Sequence, residues 1–148
     1  MARSGYLLDS NILIRWVQQN DPEHALVQAS LYRLVSSGTD LHYTSQNLGE
    51  FWNALTRPQA RNGYGLSPQE VDELAQQVED GFILLPDSIE VHHEWRRLLV
   101  DHAISGVQVH DARLAAAMRV HGVGQILTFN TRDFARFTNV DAVHPRDI

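Results

Sequence analysis

Short apolar runs alternate with helix-like patterns along the whole chain, and this alternation restricts the fold more than any other feature. Five runs have the length and apolar content of β-strands: Tyr6–Asp9, Leu41–Thr44, Phe82–Leu85, Gln125–Phe129 and the shorter Ala142–Val143. The first run is apolar on both faces, as a strand buried in a parallel sheet should be. Strands that alternate with helices predict an α/β domain with a mostly parallel sheet and helices on both of its faces.

Capping residues predict where several helices begin and end. Asp21-Pro22 favours a helix start with the aspartate as N-cap, and Gly38 is expected to end that helix. Ser67–Glu70 is a capping box with proline in the first turn, which is a strong helix start. Asp111 is expected to open an alanine-rich helix. No repeat or linker interrupts the pattern, so residues 1–148 are expected to form one domain.

Composition excludes several function classes. The chain has no cysteine, so disulfides, thiolate metal sites and a cysteine nucleophile are excluded. All 12 basic residues are arginine, which excludes Schiff-base chemistry and P-loop ATPases. A formal net charge of −6 argues against a protein that coats nucleic acid through a basic surface. It is compatible with a nuclease whose acidic pocket is neutralised by metal.

Neither a membrane segment nor a secretion signal is evident. No run approaches the ~20 apolar residues of a transmembrane helix. The amino-terminal residues lead directly into the first predicted strand, without the apolar core of a signal peptide. We therefore expect a cytoplasmic protein that has no membrane partner.

Four acidic residues stand where predicted strands and helices meet. Asp9 ends the first strand, and Glu50 lies about a turn and a half into the helix after the second. Asp111 starts the helix before the fourth strand, and Asp133 follows that strand. Ligands of open parallel sheets bind beyond the carboxyl ends of the strands. Four acids that meet there would suit a hard divalent cation such as Mg²⁺ or Mn²⁺, which favours a metal-dependent hydrolase acting on phosphodiesters.

Each acid also has a purely structural explanation. Asp9 can be a helix N-cap, Glu50 a solvated helix residue, and Asp133 a turn residue. Asp111 can be a first-turn acid favoured by the helix dipole. Taken singly, these explanations are preferred for all but Asp111, which shares a helix face with the apolar Leu114. It is the joint placement of the four at strand ends that favours a catalytic metal site.

The four acids and their neighbours can be given chemical roles. Asp9 and Asp111 are the first choice as direct metal ligands, while Glu50 can bind metal directly or through water, or orient the attacking water. Asp133 is a further candidate catalytic residue. Polar residues beside the acids can hydrogen-bond the carboxylates or a phosphate; they are Asn11, Thr128 and Asn130.

Several arginines are candidates for contacting a nucleic-acid backbone. Arg57 and Arg61 stand in the predicted loop that follows the helix carrying Glu50. Arg113 and Arg132 stand near Asp111 and Asp133. Arginine is a common phosphate contact in protein–nucleic acid complexes. A solvated surface position explains each of them equally well.

Four motifs spread over nearly the full length carry a family resemblance. They are Leu7–Leu13, Asn47–Phe51, His110–Ala117 and Ile126–Phe134. In this order and spacing they resemble the PIN-domain family, and within it the VapC-like toxin ribonucleases of bacterial toxin–antitoxin pairs. Each motif is weak alone, and the four together are fairly specific.

The resemblance implies a fold, an activity and partners. It implies a three-layer α/β/α sandwich, dependence on Mg²⁺ or Mn²⁺, and cleavage of single-stranded RNA or RNA loops. It places the metal-site acids at Asp9, Glu50 and Asp111. It further implies the toxin of a type II pair, with a cognate antitoxin and a homodimeric state. Many members have an acid where this chain has Asn130, so either Asn130 or Asp133 occupies the fourth position.

Other functions fit the sequence less well. A phosphatase of the haloacid-dehalogenase type also begins with an acid after a buried strand. That class needs a second aspartate two residues later, where Asn11 stands, and normally a lysine. A receiver domain lacks the same lysine. A catalytically weak or inactive PIN-like module that binds RNA or protein stays open because of Asn130.

Overall fold

A computed structural model of the protein describes residues 5–148, which form five β-strands, six α-helices and three short 3₁₀ helices. The strands are β1 (Gly5–Leu8), β2 (Asp40–Tyr43), β3 (Ile83–Leu84), β4 (Gln125–Leu127) and β5 (Asp141–Val143). The α-helices are α1 (Ser10–Val17), α2 (His24–Ser36), α3 (Ser45–Thr56), α4 (Pro68–Gly81), α5 (Ile89–Asp101) and α6 (Gln108–His121). The 3₁₀ helices are Gln59–Arg61, Thr131–Phe134 and Pro145–Asp147.

No helix between residues 5 and 148 is long and apolar enough to cross a membrane. Residues 1–4, part of the segment expected to lack a signal-peptide core, lie outside the described residues.

The five strands form one sheet in the order β3-β2-β1-β4-β5, and every pairing among them is parallel. The sequence predicted a mostly parallel sheet, and this prediction is confirmed. Strand β1 is central, with β2 and β4 at its two edges and helices on both faces of the sheet. All four of its residues are therefore buried. Its backbone pairing with β4 continues past the strand, because the Asp9 N–H donates to the Leu127 carbonyl at 3.0 Å.

Two hydrophobic clusters separate the sheet from helices on its two faces. Tyr6 and Leu8 of β1 pack with α1, α2, α3 and α4, whereas Leu7 packs with α5 and α6. This division follows from the strand period of two, which sends successive side chains to opposite faces. Leu127 and Ile126 of β4 divide in the same way. The predicted three-layer α/β/α sandwich is confirmed.

Most predicted boundaries are close to those observed, and two helix starts are wrong. The capping box is present as expected, with Ser67 accepting from the Glu70 N–H and Glu70 accepting from the Ser67 N–H. Helix α2 begins at His24 rather than after Asp21, because the Asp21 carboxylate bonds the N–H of Glu23 and so stabilises the preceding turn. Helix α6 begins at Gln108, three residues before Asp111.

Candidate active site

Asp9 lies between β1 and α1 and combines a structural with an electrostatic role. Its side chain is 8% exposed. It is the N-cap of α1, with Oδ1 accepting from the Ser10 N–H at 2.8 Å. Its Oδ2 accepts from the Thr128 hydroxyl at 2.7 Å and from the Asn11 amide at 3.4 Å. Burial raises the pKa of Asp9, these bonds to Thr128 and Ser10 oppose the rise, and the charges of Glu50 and Asp133 add to it.

Glu50 projects from the second turn of α3 and is held by two hydrogen bonds. The Ser10 hydroxyl donates to its Oε2 at 2.8 Å, and the Gln46 Nε2 donates to its Oε1 at 2.9 Å. The same Nε2 donates to the His110 carbonyl of α6 at 2.8 Å. Both neighbours of this nitrogen are acceptors, so the amide must present its NH₂ group to them. Gln46 Oε1 is left buried, without a hydrogen-bond partner among residues 5–148.

Asp111 stands in the first turn of α6, partly buried. Its carboxylate accepts no hydrogen bond from any residue that the structure describes. Burial raises its pKa to about 6, and the negative charges of Asp133, Asp9 and Glu50 contribute further, while Arg136 opposes them. The four acids predicted from the sequence lie in one region: Ser10, next to Asp9, bonds Glu50, the same groove is lined by Glu50 and Asp111, and the charge of Asp133 acts on both Asp9 and Asp111.

Asp133 and Asn130, the two candidates for the fourth position of the acidic site, contribute in different ways. Asp133 is exposed on the 3₁₀ helix Thr131–Phe134, and its charge acts on both Asp9 and Asp111. Asn130 is also exposed, and its backbone N–H donates to the Thr128 hydroxyl oxygen at 3.0 Å. Asp133 therefore supplies the negative charge, while Asn130 helps to fix the threonine that bonds Asp9.

A network of polar groups joins the ends of β1 and β4. The Asn11 amide donates to the Thr128 hydroxyl oxygen at 3.3 Å, and Asn11 Oδ1 accepts from the Phe129 N–H at 3.3 Å. Thr128 is fully buried and Asn11 is half-buried. The two side chains hold the Asp9 carboxylate in place through these hydrogen bonds.

Two grooves open beside the acids. One, of about 640 Å³, lies between α3 and the start of α6; its lining residues are Gln46, Gly49, Glu50, Asn53, Val107, His110 and Asp111. The other, of about 430 Å³, is lined by the five residues from Phe129 to Asp133. The acids therefore border open surface of a size that small ligands and parts of larger ones can enter.

The donor set suits Mg²⁺ or Mn²⁺ in type and charge, because it consists of carboxylates that repel one another when no cation is bound. Within residues 5–148, however, no three acidic or histidine side chains already stand close enough to hold one ion. Glu50 and Asp133 are exposed and can reorient without disturbing the core, so that they can approach an ion together with Asp9 and Asp111.

The candidate arginines differ in how close they lie to the acids. Arg132 is exposed and lines the groove that also contains Asp133. Arg113 is paired with Asp87 at 3.2 Å. Arg57 follows the last residue of α3 and donates to the Asn62 carbonyl, which closes its loop, and Arg61 is exposed in the next 3₁₀ helix. Of the four, Arg132 is best placed for a phosphate.

Sequence reasoning missed the two residues that hold Glu50. Gln46 precedes Glu50 by four positions, the spacing at which helical side chains meet, so the pair was open to prediction. Ser10 is forty positions from Glu50, and no local pattern links the two. The bond from Gln46 to His110 likewise joins helices of opposite layers.

The family model for the PIN domain matches residues 6–140. The chain belongs to the PIN-domain family. PIN domains are nuclease domains that generally use divalent metal ions, which supports a hydrolase acting on nucleic acid. None of the curated proteins compared with this chain matches it.

Solved structures of toxin–antitoxin proteins share the fold. VapBC2 from Rickettsia felis, bound to a DNA fragment from its promoter, superposes with a TM-score of 0.70 at 14% identity, covering 95% of this chain and 98% of that one. VapC20 from Mycobacterium tuberculosis, a toxin that cleaves the sarcin-ricin loop, gives 0.64 at 18% identity, covering 92% and 98%. FitAcB from Neisseria gonorrhoeae gives 0.66 at 20% identity, covering 97% and 99%. At these identities the similarity establishes the α/β/α fold.

Proposed function

We propose that this PIN-domain protein is a metal-dependent endoribonuclease that cleaves single-stranded RNA or RNA loops, as the toxin of a type II toxin–antitoxin pair. The observation that carries the proposal is the mutual repulsion of four acids from four separate elements. Burial raises the pKa of Asp111 to about 6, and the negative charges of Asp133, Asp9 and Glu50 contribute further. A cluster of carboxylates that is unfavourable without a cation is well suited to binding one.

Each residue of the site has a role in this proposal. Asp9, Glu50 and Asp111 hold Mg²⁺ or Mn²⁺, and Asp133 completes the negative charge. When bound, the ion acts as a Lewis acid that lowers the pKa of a water molecule and shields the charge of the phosphate. Asp9 is kept in position by Thr128, whereas Glu50, which is exposed and bonded to Ser10 and Gln46, would turn toward the ion when it binds.

The preference for RNA is supported by the similar structures. VapC20 is a toxin that cleaves the sarcin-ricin loop, and its fold matches over most of both chains. The open grooves beside Glu50 and Asp133 suit a single strand better than a duplex, because an unpaired strand can place one nucleotide close to the carboxylates.

The test is cleavage of a mixed pool of single-stranded RNA in Mn²⁺ or Mg²⁺, with EDTA and Asp9→Asn as controls and a DNA pool of the same sequences alongside. We expect metal-dependent cutting of RNA that both controls abolish. Cutting of both pools would retain the nuclease and contradict the RNA preference. Absence of cutting by folded protein that still binds the RNA would favour an RNA-binding PIN module.

We further propose that a cognate antitoxin covers an apolar groove of about 270 Å³ on the face opposite α6. Its lining includes Trp16, Leu31, Tyr32, Val35 and Phe82. Tyr32 is 75% exposed and Val35 is 59% exposed, so that the groove continues into exposed apolar surface, a feature of protein-binding sites. We propose a homodimer as well, which sedimentation of the purified chain would test.

The antitoxin proposal can be tested with the protein encoded beside this chain. It should bind and inhibit cleavage, and Tyr32→Asp should weaken inhibition while leaving cleavage intact. Equal inhibition of the wild type and Tyr32→Asp would place the partner on another surface.

A further inference from the structure

Gly49 is a helix-interior glycine whose own surroundings do not require it. It is the fifth of twelve residues in α3. Glycine inside a helix lowers stability relative to alanine, so such a position usually has a packing or functional reason. Its φ is not among the positive values of the chain, which rules out a conformational reason. A Cβ built on it would meet nothing within 4 Å, which rules out a packing reason.

The missing side chain instead keeps the larger groove open beside the acids. Gly49 precedes Glu50 and lines the groove of about 640 Å³ that also contains Asp111. At this point the wall of the groove is bare helix backbone. A flat group can therefore lie against α3 within reach of the carboxylates.

Two other lining residues give this part of the groove a mixed character. Val107 is apolar and 82% exposed, so a ligand that covers it removes apolar surface from water. Asn53 lies one turn beyond Gly49 on α3 and is exposed. Its amide makes no side-chain hydrogen bond to the residues that the structure describes, so one donor group and one acceptor remain available.

We propose that the groove beside Gly49 is a nucleobase subsite adjoining the acids. The face of an RNA base lies against the backbone at Gly49 and contacts Val107, and Asn53 hydrogen-bonds the edge of the base. A base has apolar faces and a polar edge, which matches this combination of surfaces, and unpaired bases are read in this way. The proposal rests on the proposed ribonuclease function, because the phosphate of the same nucleotide would face the acids.

The test is a size series at position 49, with binding measured apart from cleavage. The probe is a short fluorescent single-stranded RNA of mixed sequence, with Ca²⁺ replacing Mg²⁺ as the oxygen-binding cation. Gly49→Ala should bind almost as well as the wild type and melt no lower. Gly49→Leu should fill the subsite and bind at least about tenfold more weakly, since misfits of a few methylenes have effects of this size.

Gly124→Leu is the matched control, because a Cβ at Gly124 also meets nothing within 4 Å and this residue precedes β4, at the opposite end of the strand from the acids. It should bind RNA like the wild type. Mn²⁺ affinity, followed without RNA, should be the same in Gly49→Leu and the wild type, which shows that the carboxylates are undisturbed. Asn53→Ala should alter which bases are preferred.

The outcomes separate this proposal from the function on which it rests. Unchanged RNA affinity in Gly49→Leu, with the wild type cutting RNA, would overturn the subsite and leave the ribonuclease standing. RNA binding that is lost in Gly49→Leu, with a wild type that never cuts, would support the subsite and contradict the ribonuclease. A wild type that binds no RNA overturns both.

Discussion

Replacing Asp111 by asparagine is expected to stabilise the metal-free protein at neutral pH while abolishing cleavage. The carboxylate is partly buried, accepts no hydrogen bond from the described residues and is repelled by three other acids. Asparagine removes the charge and keeps nearly the same shape. Since the charge serves no bond in the folded protein, its loss should relieve repulsion without leaving a donor unsatisfied.

The size of the effect follows from the pKa. Folding raises the pKa of Asp111 from 3.8 to about 6, and at 1.36 kcal/mol per unit this corresponds to at most about 3 kcal/mol. Solvent reaches part of the side chain and screens the repulsion, so we expect about 1–2 kcal/mol. For a chain of this size, that corresponds to a melting temperature roughly 3–6 °C higher for Asp111→Asn.

The pH dependence gives the effect a distinctive sign. Between pH 3.8 and about 6 the folded state keeps a proton that the unfolded state has lost, so the stability of the wild type falls as pH rises through this window. Below it both states are protonated and the penalty is absent. The wild type and Asp111→Asn should therefore melt alike near pH 3.5 and differ fully above pH 7.

The assay is thermal unfolding in EDTA from pH 3.5 to 8, repeated with Mn²⁺ at pH 7.5. At a concentration of 100 times Kd, Mn²⁺ should stabilise the wild type by about 2.7 kcal/mol, and Asp111→Asn by much less. Asp72→Asn is the control, because Asp72 is an exposed acid on α4 whose side chain bonds only Gln76 among residues 5–148, and its effect should stay within about 0.5 kcal/mol. A lower melting temperature for Asp111→Asn at pH 7.5 would refute the reasoning, since it would make the carboxylate a structural group.

Three further substitutions examine the remaining parts of the site. Gln46→Met should lower Mn²⁺ affinity or cleavage by about 10–100-fold, while Gln76→Met, which removes a similar bond on α4, should change neither; equal effects would deny Gln46 a part in placing Glu50. Asp9→Ala should be less stable than Asp9→Asn by about 1–3 kcal/mol in denaturant titrations, because it removes the N-cap and the acceptor of the buried Thr128 hydroxyl. Equal stability would show that these bonds contribute little. Asp133→Asn should lower the pKa of Asp111, followed by carboxyl NMR, and weaken Mn²⁺ binding; full activity with an unchanged Asp111 pKa would leave Asp133 only its place in the 3₁₀ turn.

Local signals in the sequence predicted the layers of the fold and the four acids. The continuous apolar run of β1 and the capping box at Ser67 depend on neighbouring residues, so both are readable from a short window. The start of α6 was not readable in this way, because the helix begins at Gln108 after Val107, an N-cap residue whose side chain makes no capping bond. Tertiary contacts, rather than local preference, extend that helix.

The contacts that orient the acids were beyond local reasoning. Thr128 and Asp9 are 119 positions apart, and Gln46 and His110 are 64 apart. Arg113 lies beside Asp111 in the sequence, yet it pairs with Asp87. The sequence can identify which polar groups stand at strand ends, but their partners depend on which strands become neighbours in the sheet.

The strand order explains why the site must lie between β1 and β4. From the central β1 the chain proceeds to β2 on one side, and later returns to place β4 on the other side. The connections after β1 and β4 therefore lead away from each other, and parallel sheets leave a crevice at such a point. Asp9 follows β1 and Thr128 follows β4, so the two residues meet in this crevice, where the Thr128 hydroxyl donates to the Asp9 Oδ2 at 2.7 Å. A substitution that separated β4 from β1 would break the bond from Thr128 to Asp9 without changing any of the four acids. Asp9, the buried acid of the cluster, would then no longer be held in place.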